Sequence, residues 1–145
     1  MNESAALAPG HRTVPHTADV IIEAWGETPL ECLEEAARAL VETFADVGDI
    51  TATDTVPVVF DLAPDDEEAF VAALEEIVYL VDAHEVVPVE VTVEATEDGG
   101  VACYFETAPV AKVAVSGAAP KGVSRSELEL KHDQGRWRCR AVIDV

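Results

Sequence analysis

The sequence has few basic residues, few aromatic residues and no long apolar run. Nine lysines and arginines stand against 29 aspartates and glutamates, and aromatic residues make up 6% of the 145 positions. No apolar segment approaches the ~18 residues that a membrane-spanning helix needs, so we expect no membrane partner. The first residues lack a basic segment followed by an apolar one, and we therefore expect no secretory signal there.

Cysteine is equally scarce, and the common catalytic motifs are absent. The three cysteines lie far apart and form no CxxC pair, which argues against a zinc finger or a disulfide scaffold. We therefore expect a reducing compartment, the cytosol. The sequence also contains no GxSxG, P-loop, GxGxxG or HExxH motif, so nothing in it indicates the enzyme classes that depend on these motifs.

Acidic residues dominate the charge, which sums to −20 at neutral pH. Such a surface repels itself in dilute buffer, whereas molar salt shortens the screening length to about 3 Å and removes most of that repulsion. We therefore predict a halophilic protein that works in a salt-rich cell interior. The alternative is an acidic face made for a basic partner. Direct binding of nucleic acid by the whole surface is disfavoured, because phosphate contacts need clustered lysine and arginine.

The few basic residues are concentrated near the C-terminus. No lysine or arginine occurs from Ala39 to Ala111, whereas seven of the nine lie from Lys112 onward. Only four acidic residues share that last segment. The C-terminal third therefore provides a locally basic setting within an acidic protein.

Two helix-start signals and a series of alternating segments predict the secondary structure. Thr28, Pro29 and Glu31 combine a capping residue, a proline at the first helical position and a capping-box glutamate. Asp65 and Glu68 form a similar box before a second helix. Alternation of apolar and polar residues predicts strands over residues 19–25, 55–62, 87–95, 101–106, 124–131 and 136–145.

These elements predict an α+β fold in which two helices pack on one face of a mostly antiparallel, mixed sheet. Residues 1–10 are aperiodic and contain alanine, proline and glycine, so we expect a flexible N-terminal tail there. Residues 11–145 are predicted to form a single domain, because the length suits one hydrophobic core.

Two acidic residues are notable for their positions. Asp19 begins the first predicted strand, and Asp144 precedes Val145, whose main-chain carboxylate ends the sequence. If the first and last strands are neighbours, these groups form a site of oxygen ligands only, which suits a hard cation. The alternative is that Asp144 pairs with Arg138 or Arg140 and that Asp19 is an exposed strand-end residue.

Several segments along the chain resemble the archease family. The opening His16-Thr17-Ala18-Asp19-Val20, with Trp25-Gly26 and the apolar positions of the first helix, is similar to the start of that family. Three later segments resemble its second helix, its Lys-Ala-Val strand and its aromatic-to-Asp ending: residues 73–82, Lys121-Gly122-Val123 and residues 137–145. The resemblance implies an archease-like α+β domain.

The resemblance also implies a function. Archeases are accessory proteins and not enzymes: they assist the RtcB-type RNA ligase that joins tRNA halves, by promoting its GTP-dependent guanylylation and so its multiple turnover. The tRNA would be contacted only through the ligase. By the same resemblance, Asp19, Asp144 and the carboxylate of Val145 would bind a divalent metal ion, usually calcium, and Lys121 would take part in activating the ligase.

The sequence departs from the family pattern at three places. Pro15 stands where the family usually has aspartate, Ile21 where it has glycine, and Ser126 where it has a histidine. Two other functions stay open: a general chaperone or assembly factor, and a metal-dependent phosphoesterase in which Lys121 or Arg140 would have to serve as the general base or hold the phosphate. Asp19, Asp144 and Lys121 meet only if the first strand, the last strand and the strand after Pro120 are neighbours, and we predict that they are.

Overall fold

The computed structural model describes residues 8–15 and 19–145. Its elements run in chain order as β1 (Gly10–Pro15), β2 (Asp19–Gly26), α1 (Pro29–Glu42), β3 (Ala45–Asp46), β4 (Asp54–Phe60), α2 (Glu67–His84), β5 (Val86–Ala95), β6 (Val101–Pro109), a 3-10 turn (Val110–Lys112), β7 (Ala114–Val115), β8 (Gly122–Asp133) and β9 (Arg136–Asp144). Two helices with antiparallel sheets confirm the predicted α+β class.

Helix α1 begins where its sequence signal predicts. The Thr28 hydroxyl accepts a hydrogen bond from the backbone N–H of Glu31 at 3.1 Å, and Pro29 occupies the first turn. The Glu31 carboxylate in turn accepts from the N–H of Glu27 at 2.8 Å, one residue before the position that a capping box uses. The helix ends at Glu42, and the chain enters β3 at Ala45.

Helix α2 is capped one residue later than predicted. Asp66, and not Asp65, accepts a hydrogen bond from the N–H of Glu68 at 2.8 Å, and the helix starts at Glu67. Adjacent aspartates offer two possible caps, and the observed one places the apolar stripe against the core. The side chains buried along this helix are Ala69, Phe70, Val71, Ala73, Leu74, Ile77 and Leu80.

The strands divide among three sheets, and every pairing described is antiparallel. The order is β1-β2-β9-β8 in a four-stranded sheet and β4-β6-β5 in a three-stranded sheet, while β3 and β7 form a short pair. The expected single, mixed sheet is therefore replaced by separate antiparallel ladders, because hairpins join β5 to β6 and β8 to β9. Pro57 lies in the edge strand β4, as its missing N–H predicts.

The hydrophobic core lies between the sheets and both helices. Helix α1 packs on β2, β9 and β5, and helix α2 packs on α1, β5 and β8. The four-stranded sheet turns one face inward through residues such as Ile22, Ala141 and Ile143, which are almost fully buried. Its other face lies away from the helices and carries polar side chains such as Arg138 and Arg140.

Strand β1 is an addition to the predicted elements. It pairs along its whole length with β2, so Gly10 belongs to a strand and not to a tail. The remaining tail prediction, for residues 1–7, lies outside the residues that the structure describes. Among the described helices, none is long and apolar enough to cross a membrane.

Candidate functional site

Three neighbouring strands bring the predicted site residues to one end of the four-stranded sheet. Asp19 on β2 lies directly opposite Asp144 on β9, and Gly122 on β8 lies opposite Asp144 on its other side. The backbone N–H of Lys121 donates a 2.7 Å hydrogen bond to the carbonyl oxygen of Asp144. The predicted adjacency of the first strand, the last strand and the strand after Pro120 is therefore confirmed.

Two carboxylates face each other in this row. Asp144 is exposed, Asp19 is half-buried, and directly opposed like charges destabilise an antiparallel pair. The Asp144 carboxylate extends over β8, where its Oδ2 atom lies 3.7 Å from the position that a Cβ on Gly122 would take. A cation held here would relieve the repulsion, and the oxygen donors suit a hard ion such as calcium.

The donor set is small. Within residues 8–15 and 19–145 no group of three or more histidine, cysteine, aspartate or glutamate side chains is arranged to bind a metal ion. Asp19 and Asp144 supply two carboxylates, and Val145, next in the chain, carries the predicted third. Their chemistry fits a calcium ion, with water completing the shell, better than it fits a metal that prefers nitrogen or sulfur.

A cavity adjoins this row on the side of helix α2. It has a volume of about 650 Å³, and Lys121 and Val145 line it together with Val78 and Asp82 of the helix and the loop at residues 118–120. Asp82 is a functional candidate that the sequence analysis missed. Its signal was an acidic residue in the last turn of a helix, where the helix dipole disfavours negative charge.

Within the described residues, four of the seven basic residues of the C-terminal third form ion pairs, and Lys121 is not among them. Arg125 is paired with Glu68, and Lys131 with Glu129 at 3.1 Å. For Lys121 the described part of the chain provides no ion pair within 4 Å, and its side chain is exposed beside the cavity. Its charge is therefore available to a ligand or a partner protein.

The alternative pairing of Asp144 with the arginines of its own strand is not observed. Arg138 contacts Asp133 at 3.4 Å. Arg140 contacts Glu23 at 3.1 Å and Glu127 at 3.4 Å. The predicted motif residues His16, Thr17 and Ala18 lie outside the described residues.

The fold and this site define a class: a small α+β domain that presents a carboxylate pair and a lysine at one end of an antiparallel sheet. A family model described as the Archease protein family matches residues 11–145. The chain therefore belongs to the archease family.

Curated relatives agree with the family model. The chain is 39% identical over 137 residues to "Probable protein archease" of Mycobacterium tuberculosis, a match that covers 94% of this chain and 75% of that protein. It is 31% identical over 141 residues to "Protein archease" of Methanosarcina mazei, with 90% and 92% of the two chains covered. The similarity thus extends over nearly the whole domain.

Two solved structures share the fold. One is the solution structure of Methanobacterium thermoautotrophicum protein 1598, with a TM-score of 0.74, 19% identity and coverage of 94% of this chain and 99% of that one. The other is the crystal structure of "an archease, possible chaperone" from Thermotoga maritima, with a TM-score of 0.65, 21% identity and coverage of 92% and 96%. At these identities the likeness concerns the fold alone.

Proposed function

We propose that this protein activates an RtcB-type RNA ligase by promoting the ligase's GTP-dependent guanylylation, which sustains multiple turnover in tRNA splicing and RNA repair. The observation that carries the proposal is membership in the archease family over residues 11–145. The row of Asp19, Asp144 and Lys121 at one sheet end supports it, because these are the residues that the resemblance links to metal binding and activation. The protein acts as an accessory factor and has no reaction of its own.

The metal ion of the proposal is calcium, bound by Asp19, Asp144 and the main-chain carboxylate of Val145. A bound cation neutralises the two facing carboxylates and holds the ends of β2 and β9 in one arrangement. The role of the ion is to position a docking surface. A docked protein can accelerate a reaction by orienting groups in its partner's active site, without taking part in the chemistry itself.

In this proposal, the side chain of Lys121 contacts the ligase. Its ammonium is a compact point charge beside a cavity of about 650 Å³, a size that admits a side chain of a partner or a phosphate group. Asp82 lines the same cavity and gives it a mixed charge. The ligase, and not this acidic chain, contacts the tRNA, and both work in the cytoplasm.

The test uses the purified protein, the ligase from the same organism and GTP. We expect the initial rate of ligase guanylylation to rise when the protein is added in stoichiometric amount. Lys121→Ala should abolish that stimulation, while Lys112→Ala, the same change at another exposed lysine, should retain it. The free energy of unfolding of both variants should lie within about 0.5 kcal/mol of the wild-type value, as is usual for surface substitutions.

Two outcomes would contradict the proposal. Unchanged guanylylation over a range of protein concentrations would exclude activation of the ligase. Stimulation that survives Lys121→Ala but disappears in Lys112→Ala would show that the role assigned to Lys121 is wrong in this chain.

A general chaperone is the second candidate, favoured by the description of the Thermotoga maritima relative as a possible chaperone. That function predicts suppression of aggregation of several unrelated unfolding proteins, at low protein excess and without GTP. Ligase activation predicts no such breadth. A light-scattering assay with two unrelated clients separates the two functions.

A further inference from the structure

A second cavity lies on the face of the four-stranded sheet that points away from the helices. Its volume is about 210 Å³, and five of the nine basic residues of the chain line it against two acidic ones. The basic residues are Arg12, Lys131, Arg136, Arg138 and Arg140. In a protein with a net charge of −20, the gathering of more than half of the basic residues around one small cavity requires a physical reason.

The strand register creates this cluster. Arg136, Arg138 and Arg140 alternate along β9 and therefore point to one face of the sheet. Arg140 lies opposite Glu23 of β2, which lies opposite Arg12 of β1. The position of each arginine is thus fixed by regular strands, which hold side chains more accurately than loops do.

Four of the five basic residues in the cavity contact carboxylates, among them Lys131 with Glu129 at 3.1 Å and Arg140 with Glu127 at 3.4 Å, so four carboxylates face five cations. The carboxylate of Glu23 accepts hydrogen bonds from both Arg12, at 2.6 Å, and Arg140, at 3.1 Å. One carboxylate therefore serves two guanidinium groups. Arg138 has a single long contact of 3.4 Å to Asp133.

Arg136 has no partner in the described part of the chain. Its Nε and Nη1 atoms are buried and make no hydrogen bond, and no ion pair to it occurs among residues 8–15 and 19–145. A charged donor that is shielded from water and left unpaired is unfavourable by an amount that exceeds an ordinary hydrogen bond. The unsatisfied donors therefore call for a hydrogen-bond acceptor at this position, and the charge of the guanidinium favours an anion.

We propose that this cavity binds the phosphate group of a small molecule. Guanidinium groups offer paired N–H donors whose spacing matches the oxygens of phosphate, and Arg136 adds a positive charge that no carboxylate of the described residues neutralises. Pockets for complete drug-sized ligands usually measure about 300–1,000 Å³, so the smaller cavity here suits the phosphate and not a whole nucleotide. Trp25 lines the same cavity and offers a flat surface beside the phosphate.

This site is separate from the carboxylate row proposed for calcium. Ile21 and Val142 lie opposite each other on the same sheet face, between the arginines and the Asp19–Asp144 pair, and each is only 4% exposed. Arg140 and Asp144 are four residues apart along β9, a distance of about 13 Å in an extended strand. Phosphate binding does not rest on the proposed activation of the ligase, and it is measured without the ligase.

The experiment titrates inorganic phosphate into the full chain and follows backbone amide shifts by NMR, with KCl held at about 0.2 M and then at about 2 M to vary screening. We expect shifts confined to β1, β2, β8 and β9 around the cavity. Arg136→Gln should weaken phosphate binding about tenfold or more, which corresponds to the loss of one charged hydrogen-bonding group. The matched control is Arg125→Gln, since Arg125 is paired with Glu68 and does not line the cavity.

A second variant guards against a loss of folding. Arg136→Lys keeps the charge but removes the paired donors, so it should fold normally and bind phosphate with intermediate affinity. A short single-stranded RNA is the comparison probe, and it should bind no more tightly than inorganic phosphate, because the chain carries a net charge of −20.

Three outcomes would overturn the proposal. Phosphate shifts that are equal in the wild type and in Arg136→Gln would place binding elsewhere. If chloride competes with phosphate as strongly as its concentration predicts for an unselective site, the cavity is a general counter-ion site and not a phosphate site. Preference for an acidic peptide over both phosphate and RNA would assign the cavity to a protein partner.

Discussion

Asp19 and Asp144 lie directly opposite each other on the antiparallel strands β2 and β9, although 124 positions separate them in the sequence. Facing carboxylates on one sheet face repel, and no sheet gains stability from such a pair by itself. In the proposed function, a bound calcium ion would offset this repulsion.

The first prediction follows from this repulsion and concerns Asp144→Asn. Without divalent ions the variant should be as stable as the wild type or more stable by about 0.2–1 kcal/mol, because one of two like charges is removed. With calcium the order should reverse, since only the wild type gains binding energy. Thermal melts with calcium and with a chelator measure both effects.

The matched control for this variant is Asp98→Asn, which makes the same change in the turn before Gly99. Its melting temperature should respond to calcium as that of the wild type does. Equal calcium stabilisation of the wild type and of Asp144→Asn would show that the ion, if bound, is held elsewhere.

The sequence predicted the carboxylates at the strand ends, but not the residues that other elements bring close to them. The strand ends at Asp19 and Asp144 follow from alternation of apolar residues, and the neighbouring strands follow once both ends of the chain are placed in one sheet. Asp82 could not be placed in this way, because its approach to Lys121 depends on how helix α2 docks on the sheet. The same limit applies to Arg136, whose lack of a partner becomes visible only in three dimensions.

The fold shows a similar division. Helix α1 and the hairpin strands follow from capping signals and strict alternation, both of which act over a few residues. The sequence predicts no strand at β1, because Gly10–Pro15 contains little apolar alternation, and only Gly10 falls within the predicted tail; the strand is held by pairing with β2. The separation into three sheets is likewise a tertiary result, since the two-residue strands β3 and β7 have no local signal.

The second prediction concerns salt. With a net charge of −20, the free energy of unfolding should increase as KCl is raised from about 0.1 M to molar concentration, where screening acts within about 3 Å. Denaturant titrations at several KCl concentrations measure the trend. A free energy of unfolding that stays constant or decreases over this range would contradict adaptation to a salt-rich interior.

The third prediction concerns His11, which joins β1 to helix α1. Its Nδ1 atom lies 2.6 Å from a carboxylate oxygen of Glu35 and its Nε2 atom lies 2.7 Å from one of Glu42, so the protonated imidazole can donate to both carboxylates. Burial by itself would lower the pKa of His11, but the hydrogen bonds and charges of Glu42 and Glu35 outweigh it and the pKa is raised above 6.5. The charged ring therefore stabilises the folded state.

The sign of the pH effect follows from that raised pKa. The stabilisation, at most about 1 kcal/mol after screening by solvent, is fully present below pH 6.5 and is lost as the pH rises through the folded-state pKa. His11→Gln should remove this part of the pH dependence, and His132→Gln, at an exposed hairpin position, should not. Melting curves recorded from below pH 6.5 to above the folded-state pKa test whether His11 causes this pH dependence. Identical pH profiles for the wild type and His11→Gln would refute that role.

The fourth prediction concerns Glu23, the carboxylate shared by Arg12 and Arg140. Burial tends to raise the pKa of Glu23, but the hydrogen bonds and charges of the two arginines outweigh it and the pKa is lowered below 4.5. Glu23→Gln should therefore destabilise the protein by roughly 1 kcal/mol at neutral pH, a value typical of a partly exposed ion pair. Since a lowered pKa stabilises the fold only while the group is ionised, the difference from the wild type should shrink as the pH falls through that pKa.

The same substitution separates stability from phosphate binding in the arginine cavity. Removing the shared carboxylate leaves Arg12 and Arg140 without their common partner, so the cavity becomes more positive by one charge while the protein becomes less stable. Phosphate affinity should therefore rise in Glu23→Gln. Glu94→Gln, at an exposed position of β5, makes the same change in total charge and should alter neither quantity measurably. Phosphate titrations and urea unfolding curves of the two variants measure phosphate affinity and stability separately. If Glu23→Gln lowers both, Glu23 orders the arginines and does not merely neutralise them.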